Sequence, residues 1–127
     1  MIFGIPREIP PFKNTPEYRV GFSPMAAREL MLYGAKFYVE SKAGEAAGFS
    51  DEGYEKAGAM VVYSKEEAYR RADVVLKVRR PQQVEYQYMK EGSTIMGFIH
   101  MVTARKEFIK TVQDKKMTIV GYEIMQD

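Results

Sequence analysis

Three residues of this chain have the types and settings to act on a small charged organic molecule: Lys77, His100 and Arg19. Lys77 lies in Asp73-Val74-Val75-Leu76-Lys77-Val78-Arg79-Arg80-Pro81, an apolar run closed by a proline. A run of this kind reads as a strand buried on both faces, as in a parallel sheet. Desolvating an ammonium is costly, so a lysine there needs a partner or must reach past the strand end into water. Its place near the carboxyl end offers a third use, because open parallel sheets bind ligands beyond that edge. His100 is the one histidine and ends the apolar run that starts at Thr94. Imidazole transfers protons near neutral pH, although a lone histidine at a strand end serves equally well as a hydrogen-bonded structural group. Arg19 sits in Glu17-Tyr18-Arg19-Val20. Its planar fork grips a carboxylate through two parallel hydrogen bonds; the alternative is an exposed arginine paired with Glu17. Arg79 and Arg80 read as a solvated face beyond the strand.

The elements that must position these residues follow from pattern and punctuation. Ile2 to Ile5 is a strand stopped by Pro6, and Arg7 to Thr15, with Pro10-Pro11, is an irregular loop. Tyr18 to Phe22 reads as a short strand. Ser23-Pro24 opens a helix to Tyr33 as N-cap and first-turn residue, and Gly34 suits its end. Strands follow at Phe37 to Glu40 and Met60 to Tyr63, with a helix from Asp51 to Ala57 capped by Ser50. Ser64 and Glu67 have capping-box spacing for the next helix, to Arg71. Helices are also expected near Val84 to Met89 and from Ala104 to Asp114. Strands run Thr94 to Ile99 and Thr118 to Val120. Strands alternating with short helices argue for one α/β domain over residues 1–127, with a mostly parallel, doubly wound sheet and helices on both faces. Strands joined by one helix place Lys77 and His100 at the same carboxyl edge, with Arg19 entering from a loop beside it.

Composition narrows the function. The chain has 127 residues, 46% hydrophobic and 28% charged, which suits a globular core. A net charge of +2 and no basic stripe argue against a nucleic-acid surface. No apolar run reaches the length of a membrane span, and the absence of cysteine points to a cytoplasmic protein. With one histidine and no clustered carboxylates, a metal site has no support. The loop from Gly44 to Gly48 matches neither a dinucleotide fingerprint nor a Walker loop, so no cofactor-binding residue is found.

Six pieces in order carry a resemblance: Gly4-Ile5-Pro6-Arg7-Glu8; Tyr18-Arg19-Val20-Gly21-Phe22-Ser23-Pro24; Ala43-Gly44 with Gly48-Phe49-Ser50-Asp51; Ala72 to Val78 with Pro81; Phe98-Ile99-His100; and Gly121-Tyr122-Glu123. Together they resemble the amino-terminal domain of the alanine dehydrogenase and pyridine-nucleotide transhydrogenase family over nearly the whole chain. The resemblance implies that Arg19 holds the carboxylate of pyruvate or alanine, that Lys77 contacts the same substrate, and that His100 serves in acid–base catalysis. Transhydrogenases generally lack that histidine, so His100 favours an amino-acid dehydrogenase; saccharopine dehydrogenases are more distant relatives that also pair a lysine with a histidine. The implied reaction is NAD-dependent, reversible oxidative deamination of alanine to pyruvate and ammonia. The dinucleotide would be held by a domain or partner outside this chain, in a homo-oligomer. The competing expectation is a stand-alone or split-subunit binding module. Two departures stand out: the loop from Ile9 to Pro16 is longer than the family's connection, and Met101-Val102-Thr103-Ala104-Arg105-Lys106 replaces small residues followed by an acidic one.

Overall fold

The computed structural model describes residues 1–10 and 17–122, so most of the proline-rich connection and Glu123 of the last motif lie outside the described residues. Among the described residues six strands are present: β1 (Ile2–Ile5), β2 (Lys36–Glu40), β3 (Met60–Val62), β4 (Val74–Arg79), β5 (Thr94–Phe98) and β6 (Thr118–Gly121). Every pairing is parallel and the order is β3-β2-β1-β4-β5-β6. Strand order therefore reverses between β1 and β4, the position at which doubly wound sheets open a ligand crevice.

The α-helices among the described residues are α1 (Pro24–Met31), α2 (Asp51–Ala57), α3 (Lys65–Arg70) and α4 (Lys106–Asp114). The serine caps expected from sequence start three of them, accepting from Ala26 N–H at 3.1 Å, Gly53 N–H at 3.0 Å and Glu67 N–H at 3.1 Å. Ala27 of α1 and Tyr54 of α2 pack with Phe37, Val39 and Leu76 on one face of the sheet. Tyr69 of α3 and Phe108 of α4 pack with Val75 and Ile95 on the other. Consecutive β4 residues thus feed opposite cores, and all but the last are buried. This is the doubly wound arrangement expected from the alternation of elements.

Several local readings differ. Residues 18–22 form no strand; Gly21 lies flat on β4, where a Cβ would stand 2.4 Å from the Leu76 carbonyl oxygen. The segment expected as a helix near Val84 is a 3-10 turn, Gln83–Tyr88. Glu85 there is drawn into the interior, and its carboxylate also accepts from Gln82 N–H at 2.7 Å, which tightens the turn. β5 stops at Phe98, short of Ile99, and α4 starts at Lys106 rather than Ala104.

Candidate functional site

Lys77 is buried in the middle of the sheet, as its apolar neighbours require. Its Nζ lies 3.0 Å from Glu85 Oε1 and 3.4 Å from Glu8 Oε1. The Tyr69 hydroxyl donates to the same Glu85 oxygen at 2.8 Å. Burial first, then the Glu85 charge, pushes the Tyr69 phenol well above its ordinary range, so it remains a donor. Glu8 also accepts from Val78 N–H at 3.0 Å and Arg79 N–H at 3.1 Å, beyond the last pairing of β4 with β1. The partner that a buried lysine requires is thus a pair of carboxylates, Glu8 and Glu85.

A register shift fixes where that ammonium stands. Leu76 pairs with Met96 but Arg79 pairs with Phe98, so Lys77 and Val78 together oppose Gly97. This is a β-bulge, a device that re-aims side chains and is common beside functional sites. Only glycine fits opposite it: a Cβ on Gly97 would lie 2.4 Å from the Lys77 carbonyl oxygen.

Arg19 projects from the loop that crosses β4. Its Nε and Nη2 donate to Glu17 at 2.9 and 3.1 Å, the pairing that was the alternative reading of this arginine. The exposure is uneven, with the Arg19 side chain 57% exposed and the Glu17 side chain 4%. Arg79 Nε donates to the second Glu17 oxygen at 2.5 Å, so one buried carboxylate joins two guanidinium groups. The hydrogen bond from Arg19 is the largest influence on Glu17 and holds its carboxyl at about 2, against desolvation, which acts the other way. Arg19 is itself raised, chiefly by the same bond.

His100 follows β5 with φ 53° and ψ 59°, in the left-handed region. A β-carbon there costs about 1–2 kcal/mol and persists only where surroundings enforce it. The enforcement is visible at its carbonyl, which accepts from Thr103 N–H at 3.0 Å, Thr103 Oγ1 at 3.1 Å and Arg80 Nη1 at 2.9 Å. The two arginines read as a solvated face therefore have structural partners, Arg79 on Glu17 and Arg80 on this turn.

A cleft of about 590 Å³ opens at the carboxyl ends of β4 and β5, within the size range of small-molecule sites. Arg19, Arg79, Arg80 and His100 all line it. Lys77 does not, although its neighbour Val78 does. A second cleft of about 600 Å³ lies beyond β1 and β2, and Arg19 lines that one too. Arg19 thus stands on the wall shared by both clefts, above the point where strand order reverses. Among the predicted residues, Arg19 and His100 come together on one surface, while Lys77 is held beneath it.

Sequence reasoning missed Glu8, Glu85 and Tyr69. The available signal was the requirement for a partner for buried Lys77, but it could not say which acids along the chain would meet it.

The family described as "Alanine dehydrogenase/PNT, N-terminal domain" matches residues 4–127. Alanine dehydrogenase from Bacillus subtilis is 34% identical over 127 residues, covering 100% of this chain and 32% of the relative. A solved L-alanine dehydrogenase superposes with a TM-score of 0.88 at 36% identity, over 97% of this chain and 32% of the other. A transhydrogenase from Sinorhizobium meliloti gives a TM-score of 0.82 at 30% identity, over 95% of this chain and 33% of the other. The chain spans about a third of the length of the curated relatives it matches.

Proposed function

As the chain belongs to the alanine dehydrogenase/PNT N-terminal domain family, we propose that it forms the substrate side of an amino-acid dehydrogenase. The reaction is reversible oxidative deamination of a small amino acid, with alanine and pyruvate as the substrate pair. The observation that carries this reading is the meeting of Arg19 and His100 on one cleft at the carboxyl edge. A cation able to fork a carboxylate and a group able to move a proton are what a 2-oxo acid requires.

Arg19 binds the substrate carboxylate. Glu17 occupies the Nε and Nη2 side of its guanidinium, which fixes the plane of the fork and leaves the Nη1 side to the ligand. Lys77 does not line the cleft in this arrangement; its contact with the substrate carbonyl, which it would polarise as charge develops on oxygen, requires its ammonium to leave Glu8 or Glu85 when the substrate binds. His100 transfers a proton to and from that oxygen.

The described residues do not fit a dinucleotide. β1 leads into Pro6-Arg7-Glu8, with no glycine turn and no helix directly after it. A nicotinamide cofactor, NAD in this reading, would supply the hydride from another domain or partner.

Calorimetric titration with pyruvate tests the reading. The wild-type chain should bind, and Arg19→Lys should bind roughly tenfold more weakly, because an ammonium keeps the charge but loses one of two charge-assisted hydrogen bonds. Equal affinity in the two proteins would exclude Arg19 as the carboxylate clamp.

A further inference from the structure

We infer that Arg80 is the positioning residue that holds His100 at the cleft. The inference rests on the reading that His100 transfers the proton. Arg80 follows β4 directly, and its Nη1 donates to two successive carbonyls at the end of β5, Ile99 at 3.1 Å and His100 at 2.9 Å. Its guanidinium carbon stands 6.0 Å from the centre of the buried Phe108 ring of α4. One side chain therefore ties together the ends of β4 and β5 and the helix that follows.

The carbonyls it holds are those on either side of the His100 Cα. Fixing both peptide planes fixes the left-handed backbone at His100, and the backbone sets where the imidazole projects. Ile99 is fully buried and anchors the near side of the turn. Thr103 supplies a backbone and a hydroxyl donor to the His100 carbonyl, but both belong to the turn itself. Arg80 refers this turn to the rest of the sheet. Its two bonds are to neutral carbonyls, so they set geometry.

The chain contains a single histidine, so imidazole signals in a nuclear magnetic resonance spectrum belong to His100 alone. In wild type these signals should form one narrow set. Arg80→Leu, which removes both donors, should shift or broaden them, while Arg80→Lys should restore part of the wild-type pattern. Pyruvate affinity, read by calorimetry, should change by less than about threefold in Arg80→Leu, because the carboxylate is held at Arg19. A folded Arg80→Leu protein with wild-type imidazole shifts, line widths and titration curve would overturn the inference. So would loss of pyruvate affinity of about tenfold or more, which would make Arg80 a direct ligand. If Arg80→Leu does not fold, Arg80→Gln, whose shorter side chain cannot span both carbonyls, gives the same reading: an altered His100 spectrum supports the inference, and an unaltered one overturns it. Failure of wild type to bind pyruvate would sink the proposed function, while the spectra would still decide the role of Arg80.

Discussion

Glu17 sets the electrostatics of the cleft. It is buried, it joins Arg19 to Arg79, and its carboxyl is held at about 2 instead of 4.5. A folded-state value below the unfolded one means that the interaction stabilises fully above the unfolded value and is lost as pH falls towards about 2. Both arginine partners are largely exposed, so solvent screening reduces the effect to roughly 2 kcal/mol. Urea unfolding of Glu17→Gln and wild type should differ by about that amount near neutrality and converge in strong acid; a constant difference across pH would contradict the assignment. Arg19 and His100 were legible as candidates because a forked cation and an imidazole stand beside apolar runs, and both line one cleft. The environment of Lys77 was not legible, since Glu8 and Glu85 meet it only through the folding of distant segments.

At the scale of elements, the bulge of β4 against Gly97 shapes the site. Gly97→Ala would drive a Cβ to within 2.4 Å of a backbone oxygen, which no side-chain rotation relieves. It should cost about 2 kcal/mol or more and displace β5, together with the His100 turn, from β4. Thermal unfolding and the His100 imidazole signals should both change; an unaltered melt would refute the tight packing described here. Glu85→Ala leaves Lys77 with one carboxylate and the Tyr69 hydroxyl without its acceptor. Breaking a buried pair on one side costs about 3–5 kcal/mol, so this variant should be far less stable in urea than a change at the exposed Glu66. The serine-capped helices and the apolar strands were readable because caps and periodicity are local. The bulge, the 3-10 turn at Gln83–Tyr88 and the non-strand at residues 18–22 were not, because each is decided by what lies across from it.

For the whole molecule, the strand order β3-β2-β1-β4-β5-β6 places the reversal beneath Arg19, between two clefts of similar size. The order follows from alternating elements with short connections, which is why the fold class was readable from the sequence. Without a glycine turn after β1, the chain alone should yield no NADH from alanine and NAD; measurable turnover by the purified 127-residue protein would overturn the division of labour proposed here. The central claim is that one small 2-oxo acid meets Arg19 and His100 together. A pyruvate titration followed by nuclear magnetic resonance tests it most directly, reading the Arg19 Nε–H and the single His100 imidazole in one experiment. Both signals should move along one saturating curve, and Arg19→Lys should weaken the His100 response. Pyruvate that leaves both signals unmoved, or that saturates shifts at the β3 edge instead, would contradict the account.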